Sequence, residues 1–281
     1  MVRAADRAKN PTRSSVWLEQ DKESRAARGV SGGSGPAGLD RERIVAASIR
    51  MLDEDGLAKL SMRRLATELN VTAMSLYWYV DTKDDIIEYA IDSCYEEIDL
   101  AEVAAADGWR ERIRVLALAY RRMLTRHQWL SACMGQYLNV GPHAIAVGNE
   151  MQRAIRDTGL PLSRVPSAMS AVFQFVYGYG TIEGQFTRVA QQAGMSQDDF
   201  YTGTIKAFRE EEQFKEVLED MTDLLDERLS HGTVDEIWDR DFLYALDVLI
   251  AGIEVMVERG RGEAAAESAE SAKKAQRAER A

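Results

Sequence analysis

The sequence has few of the residues that usually hold metals or form cross-links. Its 281 residues include only two cysteines and three histidines. Cys94 and Cys133 form no CxxC pair, and the histidines, His127, His143 and His231, have no partner four residues on. A disulfide framework, a structural zinc site and a helix-borne metal pair are therefore not supported. We expect two buried thiols in a reducing compartment and neither a metal nor another cofactor.

The sequence also lacks a segment that would direct the chain to or through a membrane. Its N-terminal part contains no apolar stretch of the about 7–15 residues that a signal peptide needs. Two longer uncharged runs, at 130–149 and 165–182, are interrupted by proline, asparagine, glutamine and glycine. These runs predict buried helices rather than membrane spans. We therefore expect a cytoplasmic protein without a membrane partner.

Motifs that carry common enzymatic chemistry are missing as well. The sequence contains no GxSxG, no HExxH, no phosphate-binding loop and no carboxylate pair at a distinctive spacing. The glycines between Gly178 and Gly184 do not match a nucleotide-binding fingerprint, because their spacing differs and no strand precedes them. We therefore do not expect an enzyme.

The net charge of −11 is unevenly distributed along the chain. Residues 1–38 carry seven basic and four acidic side chains, and residues 39–84 carry seven basic and eight acidic ones. Residues 85–258 carry 15 basic and 30 acidic side chains, and residues 259–281 carry six basic and four acidic ones. The acidity belongs to the central block and does not exclude a nucleic-acid-binding segment elsewhere.

The composition of the two ends predicts little buried structure. Residues 1–38 are expected to be a flexible arm that ends in a Gly/Ser linker, and its Val16-Trp17-Leu18 patch is either an ordinary tail or a short helix for a partner surface. Residues 259–281 are a polar tail, either a solvated helix or disordered. Neither end is expected to carry the chemistry.

Between these ends, apolar residues recur at three- and four-residue spacing, which predicts an all-α fold. A first helix is expected from the N-cap Asp40 to Gly56, and a second begins at the N-cap Ser61. A tight turn at 70–72 separates it from a very short helix at 73–79. Further helices are predicted at 83–99, 109–126, 142–158, 162–189, 205–229 and 235–258.

Two short helices that are joined by a tight turn and braced by a first helix are typical of a helix-turn-helix, whose last helix enters the major groove of DNA. For Trp78 in this segment, burial as a brace against the next helix is the more common role of a tryptophan. Hydroxyl, guanidinium, ammonium and aromatic side chains suited to phosphate contacts lie along the segment. They are Ser61, Arg63, Arg64, Thr72, Ser75, Tyr77, Trp78, Tyr79 and Lys83.

The segment GLAKLSMRRLATELNVTAMSLYWYVDTK, residues 56–83, resembles the DNA-binding motif of the tetracycline-repressor (TetR) family. The match covers the first helix, the glycine, the second helix, the turn, an aromatic-rich run and the lysine before an apolar helix. The LYWYV run at 76–80 is similar to the branch that contains the tetracycline repressor itself. The resemblance implies that residues 39–84 are a DNA-binding domain and that residues 85–258 are a ligand-binding and dimerisation domain.

The resemblance also implies roles for single residues. Arg63 would read guanine, whose two acceptors fit the guanidinium fork. Tyr77 and Lys83 would bind phosphates. Ala73 and Met74 would lie in the exposed first turn of the recognition helix, where the family relative carries a polar reader and a proline. They either contact a thymine methyl group or simply avoid a clash, and the operator sequence is expected to differ.

In the larger block, the helices at 162–188 and 234–258 resemble the pair that forms a four-helix bundle with a second subunit. Glycines in both helices would allow a close approach. The predicted interface residues lie at helical spacing on one side of the last helix. They are Phe242, Leu243, Leu246, Leu249, Ile250, Ile253 and Val257.

The same block is rich in aromatic and methionine side chains that suit a flat, mostly apolar ligand, although core packing is the alternative for any single one. The tetracycline branch holds a magnesium chelate through a histidine near the place of Met134, and a thioether is a poor magnesium ligand. Tetracycline and its metal are therefore not expected. The predicted ligand-binding residues are Tyr120, Trp129, Met134, Tyr137, Phe173 and Tyr177.

Together these features predict a homodimeric, ligand-responsive transcriptional repressor that binds a palindromic double-stranded operator. A small apolar or aromatic inducer would release it, and the helix that begins at Lys83 would alone connect the DNA-binding domain to the ligand chamber. An all-α enzyme and a ligand-independent DNA-binding protein are the alternatives. The missing catalytic motifs disfavour the first, and the aromatic set disfavours the second.

Overall fold

The computed structural model describes residues 15–18, 38–211, 223, 226–227 and 232–279, and the side chains of these residues up to 262. Within those ranges the regular structure is helical, apart from one isolated bridge between Met134 and Tyr137. The predicted all-α fold is confirmed. Among the helices in these ranges, none has the length and apolarity required to cross a membrane.

The described helices are numbered here in chain order. A short 3-10 turn at Leu162–Arg164 precedes the ninth helix. The helices are α1 (Arg41–Asp55), α2 (Met62–Glu68), α3 (Ala73–Leu76), α4 (Lys83–Tyr95), α5 (Leu100–Ala105), α6 (Gly108–Arg126), α7 (Leu130–Cys133), α8 (Pro142–Arg156), α9 (Val165–Gln192), α10 (Gln197–Glu210) and α11 (Val234–Glu279).

Local side-chain chemistry determines where the first helices begin and end. The Asp40 carboxylate accepts a hydrogen bond from the backbone N–H three residues on at 2.7 Å, and Gly56, with φ at +76°, ends α1. Ser61 and Thr72 cap α2 and α3 in the same manner. Between them Asn70 adopts a φ of +53°, a conformation that asparagine tolerates better than most residues. The helix-turn-helix geometry therefore follows from short-range signals.

Three predicted helix boundaries were wrong. The helix predicted at 83–99 ends at Tyr95, and a separate helix, α5, follows. The helix predicted at 205–229 begins earlier, as α10, because Ser196 caps its first turn through the Asp199 N–H at 3.0 Å. Most of 211–229 lies outside the described residues. The last helix continues past 258 to Glu279, so the polar tail is helical over that length.

The chain divides into two compact units, of which the first comprises residues 1–105 and 118–150. In this unit α1 packs against α2 and α4, and α2 packs against α3. The side chains between them are almost fully buried, which holds the two short helices on a rigid base. The largest of these side chains are Ile44, Leu52, Leu65, Leu76, Ile86 and Ile87.

The second unit comprises residues 106–117 and 151–281. Here α9 packs against α10 and α11. The contact is aromatic: Phe175 stacks on Phe242 with ring centroids 5.3 Å apart, and Tyr179 meets Trp238 edge to face at 5.4 Å. The Arg114 guanidinium on α6 also donates two hydrogen bonds to Asp247 on α11, at 2.7 and 3.0 Å.

Candidate nucleic-acid interface

The α3 segment presents large apolar and aromatic side chains to solvent. Met74 is 70% exposed and Tyr77 is 44% exposed, whereas Leu76 between them is fully buried against the base of the first unit. Ala73 is half-buried at the start of the helix. Exposed residues of this size are common at surfaces that bind a partner. The face is therefore suited to contact with DNA bases and sugars.

Trp78 lies on the same exposed face. Its side chain is 55% exposed, so the expectation that it is a buried brace between the helix-turn-helix and α4 is wrong. The bracing residues are its neighbours Leu76 and Val80, which are 0% and 4% exposed. The sequence could not distinguish these roles, because an apolar run of five residues gives no indication of which side chains a one-turn helix directs inward.

The two consecutive arginines of α2 have different surroundings. Arg64 donates one hydrogen bond to Asp55 at 2.5 Å and another to the Lys59 carbonyl oxygen at 3.0 Å. Lys59 and Arg64 both hydrogen-bond to the Asp55 carboxylate and lower its pKa. The Arg63 side chain is exposed and has no hydrogen-bond or ion-pair partner among the described residues. Arg63 is therefore available to a ligand, and Arg64 is held within the motif.

Tyr79 and Lys83 make contacts inside the motif. The Tyr79 hydroxyl donates to the Leu39 carbonyl oxygen at 2.6 Å, and the Lys83 ammonium donates to the Leu57 carbonyl oxygen at 2.9 Å. These bonds connect Leu39, two residues before α1, and the loop after α1 to the α3–α4 segment. An ammonium has three N–H groups, so Lys83 retains donors for a phosphate. Both residues therefore position the motif.

The hydroxyl groups of Ser61 and Thr72 also have structural partners. Each accepts a backbone N–H as an N-cap, at 3.3 Å for Ser61 and 3.2 Å for Thr72. Thr72 lies 2.9 Å from the Ser75 hydroxyl as well. Both caps are exposed. Helix N-termini with exposed hydroxyl groups are common contacts for DNA phosphates, and this role remains a prediction.

The N-terminal residues Ser15 to Trp17 pack on α4. The Ser15 hydroxyl and the Val16 N–H both donate to one oxygen of the Glu88 carboxylate, the second at 3.0 Å, and Glu88 is 2% exposed. Trp17 meets Tyr89 edge to face at 5.0 Å. The sequence predicts either an ordinary tail or a short helix for a partner surface at this patch. Both interpretations are wrong, because the patch packs within the first unit.

A polar cluster connects α1 to the segment that follows α6. His127 is 2% exposed, and its two ring nitrogens lie 2.8 Å from an Asp53 oxygen and 3.0 Å from a Glu97 oxygen. The Trp129 indole N–H donates to the same Asp53 oxygen at 2.8 Å. The prediction that the helix beginning at Lys83 alone connects the helix-turn-helix motif to the rest of the chain is therefore wrong. The hydrogen bonds to Asp53 are a second connection.

This cluster, defined as Asp53, Glu97, His127 and Trp129, was not found from the sequence. Its members are 30 to 76 positions apart where they bond, and no local spacing indicates that they meet. Burial is the largest single effect on the pKa of His127 and lowers it. The hydrogen bonds and charges of Asp53 and Glu97 together outweigh burial, and the net pKa of His127 is raised.

Several predicted ligand-binding residues of the first unit stack on or hydrogen-bond to other side chains of the protein. Tyr120 is buried and stacks on Tyr95 with ring centroids 6.0 Å apart. The half-buried Tyr137 donates its hydroxyl to Asp84 at 3.1 Å, and Met134 is also half-buried. Trp129 belongs to the polar cluster. In the second unit, Phe173 and Tyr177 are half-buried on α9. That the six residues line one chamber remains a prediction.

The predicted subunit interface on α11 was placed on the wrong face. Most of its members are buried within this chain, where α11 packs against α9, so they are unavailable to a second subunit. The buried members are Phe242, Leu246, Ile250, Ile253 and Val257.

An exposed apolar stripe occupies the opposite side of α11. Tyr244, Val248 and Val255 are 74%, 58% and 45% exposed, at spacings of four and seven residues. Leu243 and Met256 flank them, at 40% and 50%. A helix with two apolar faces that buries one within its own chain leaves the other exposed, and exposed apolar patches are common at sites of contact with a partner. We define Tyr244, Val248 and Val255 as the α11 stripe.

Metal binding receives no geometric support in the ranges that the structure describes. No group of three or more histidine, cysteine, aspartate or glutamate side chains there is arranged to hold an ion. Burial raises the pKa of the Cys133 thiol to about 12, and burial also raises the pKa of Cys94. Both thiols are therefore protonated at neutral pH and are poor ligands.

Two family models match the chain. The model for bacterial regulatory proteins of the tetR family covers residues 44–90, and the model for the tetracyclin repressor-like C-terminal domain covers residues 104–257. Together they cover the helix-turn-helix segment and most of the helices that follow it.

Curated relatives are transcriptional regulators rather than enzymes. An HTH-type transcriptional regulator of Saccharopolyspora erythraea is 35% identical over 163 residues, which are 58% of this chain and 65% of that protein. The HTH-type transcriptional repressor DrrR1 of Streptomyces coeruleorubidus is 27% identical over 227 residues, 81% of this chain and 82% of that repressor.

Solved structures with the same fold include ActR from Streptomyces coelicolor. The apo form has a TM-score of 0.62 at 23% identity and covers 80% of this chain and all of its own. The complex of ActR with actinorhodin has a TM-score of 0.62 at 24% identity, over 79% of this chain and 99% of that one. At this level of identity the likeness shows the fold.

Proposed function

Because the chain belongs to the TetR family of bacterial transcriptional regulators, we propose that it represses transcription as a homodimer on a palindromic operator and is released by a small, largely apolar or aromatic molecule. The observation that carries the DNA-binding part is the exposed face of α3. There Met74, Tyr77 and Trp78 extend into solvent, and the preceding helix α2 carries Arg63, which is exposed and has no hydrogen-bond or ion-pair partner in the described part of the chain.

One helix-turn-helix reads one half-site, so a palindrome requires two copies of this chain. Half-sites are expected one helical turn apart, about 34–36 Å, or a small multiple of that distance. The α11 stripe supports dimerisation, since three exposed apolar residues of this size on one helix face are costly in a monomer. On α9, the exposed Ile182 and Val189 form a second stripe seven residues apart. Two such helices from each subunit would form a four-helix bundle.

An aromatic or apolar ligand is favoured by the aromatic side chains of this block. Tyr137, Phe173 and Tyr177 are half-buried. The matching C-terminal family model is that of a tetracyclin repressor-like domain, and ActR, which has the same fold, has been solved with actinorhodin. A ligand that lowers operator affinity 100-fold must favour the released conformation by about 2.7 kcal/mol.

The proposal includes location and domain organisation. Because the partner is chromosomal DNA, we assign the protein to the cytoplasm. Residues 39–84 form the DNA-binding domain and residues 85–258 the ligand-binding and dimerisation domain, followed by a C-terminal tail at 259–281. Of the N-terminal residues 1–38, Ser15 to Trp17 pack against α4 and belong with the folded part.

The proposal is tested first with DNA alone. The full-length protein selects duplexes from a random-sequence library, and light scattering measures its mass at micromolar concentration. We expect enrichment of an inverted repeat and the mass of two chains. Failure to enrich any sequence, or a monomer that still binds the repeat, would contradict the proposal.

The ligand is tested on the selected duplex. Planar polyketide-like drugs and hydrophobic cations are screened for a rise in melting temperature, and the hits are tested for loss of operator affinity. Tyr137→Ala and Phe173→Ala are expected to weaken binding of those hits, and Phe173→Ala to leave affinity for DNA unchanged. Hits that bind tightly without changing DNA affinity would favour the alternative of a ligand-independent DNA-binding protein.

A further inference from the structure

The polar cluster joins three elements of the first unit at one buried imidazole. Asp53 lies in the last turn of α1, Glu97 lies just after α4, and His127 directly follows α6. Trp129 donates to the same Asp53 oxygen that His127 approaches. The first helix of the DNA-binding motif is thus attached to the chain beyond α6 by two hydrogen bonds to one carboxylate oxygen.

The geometry defines the charge of this imidazole. Both ring nitrogens face carboxylate oxygens, at 2.8 and 3.0 Å. Ionised carboxylates only accept hydrogen bonds, and a neutral imidazole has a single N–H, so only the imidazolium can donate to both. Loss of its proton would leave one ring nitrogen lone pair directed at a carboxylate.

The other ionisable groups around the cluster are Arg126 and Cys94. Arg126 on α6 forms an ion pair with Glu97 at 3.5 Å but is largely exposed. The Cys94 thiol on α4 stays neutral, because burial raises its pKa. The raised pKa of His127 agrees with the geometry. The charges that face His127 are therefore those of Asp53, from α1, and Glu97, from the end of α4, and Arg126 on α6 pairs with Glu97.

We propose that His127 is a positioning residue for DNA binding, and that its imidazolium holds α1, and with it the helix-turn-helix, in the orientation that binds the operator. This proposal rests on the proposed function, because its tests measure the affinity of the protein for operator DNA. His127 acts through Asp53 and not by touching DNA.

The proposal has a defined pH dependence. A histidine whose pKa is raised in the folded state contributes stability that is complete below its unfolded value of about 6.5 and is lost as the pH rises through the folded value. Operator affinity is therefore expected to fall as the pH rises through the folded pKa of His127. By reciprocity, operator binding should raise that pKa, because the bound orientation retains the proton more tightly.

The first test uses the wild-type protein, so it does not depend on a variant that folds. With only three histidines in the chain, ring-labelled NMR spectra give separate titrations, assigned with His143→Gln and His231→Gln. We expect the His127 pKa to increase when the selected duplex is added at constant ionic strength. An unchanged His127 pKa on a protein that binds the duplex would overturn the proposal.

The second test compares variants at this position by operator affinity between pH 6 and 9. His127→Gln removes the charge and is expected to bind more weakly at low pH, with a flatter pH profile. His127→Lys keeps a positive charge and should restore part of the affinity, again with a flat profile. His143→Gln, whose imidazole is 43% exposed, is the matched control and should follow the wild type.

The outcomes separate the two proposals. If the wild type binds no sequence at any pH, the proposed function fails. If it binds an inverted repeat with a pH profile that His127→Gln leaves unchanged, the function stands and the positioning role of His127 is refuted. A lysine variant no better than the glutamine variant would also refute the role of charge.

Discussion

Replacement of Arg63 tests the DNA-binding face most directly, because the next residue supplies an internal control. Arg63 is exposed without a partner in the described part of the chain, whereas Arg64 is bonded to Asp55 and to the Lys59 carbonyl oxygen. Arg63→Ala therefore removes a side chain that makes no described contact within the protein. Its effect on folding should be small, and its effect on DNA should be specific.

The magnitude follows from the chemistry of the guanidinium fork. A bidentate contact with guanine discriminates against the wrong base by about 1–3 kcal/mol, which is about 5- to 150-fold in affinity. Two half-sites in a dimer would double the free-energy cost. The loss should be confined to one base pair in each half-site, so that operators already altered there bind the wild type and Arg63→Ala equally.

The assay is fluorescence anisotropy on the selected operator and on each single-base variant, over a series of salt concentrations. Arg64→Ala should leave the base preference intact and lower the stability of the motif in urea unfolding. Lys83→Ala should weaken all operators alike and reduce the salt slope by about 0.9 for each phosphate that the protein no longer neutralises. If Arg63→Ala weakens every operator variant by the same factor, its role in base reading is wrong.

Three further predictions follow from the described contacts. Tyr244→Glu with Val248→Glu should give a monomer in light scattering, whereas Ile145→Glu on α8, a site that is 47% exposed, should remain dimeric. Tyr79→Phe removes the 2.6 Å bond to the Leu39 carbonyl oxygen and should lower the free energy of unfolding by about 0.5–1.5 kcal/mol, with unchanged base preference; an unchanged urea midpoint would contradict this. Because burial raises the pKa of both Cys94 and Cys133, neither thiol should react with iodoacetamide at pH 8 until urea unfolds the chain, and rapid labelling of the folded protein would disprove their burial.

The sequence predicted those features that depend on short-range chemistry. Asp40, Ser61 and Gly56 mark helix ends by bonds or backbone angles that involve residues within four positions. The helix-turn-helix was therefore predicted close to its actual bounds. Ser196 marks the start of α10 in the same way, but the predicted helix began at 205 and did not use this cap.

The sequence did not predict which of two apolar helix faces is buried within the chain. The helix α11 has apolar residues on opposite sides, and periodicity alone does not tell which side faces its own chain. The stronger stripe, which includes Phe242 and Leu246, packs against α9, so the weaker one is exposed. The polar cluster at His127 gave no signal either, because its carboxylates are distant in sequence and enter no recognised motif.

The packing of Ser15 and Val16 against Glu88 affects how the chain can be shortened. A boundary drawn from composition would place the start of the folded part at about residue 39 and discard the first 38 residues as an arm. That cut would remove two donors from a carboxylate that is 2% exposed, and removal of each bond to a buried charge costs about 1.5–3 kcal/mol. It would also uncover the Tyr89 ring on which Trp17 packs. A version trimmed for crystallisation or fused to a tag should therefore retain the chain from Ser15 onward.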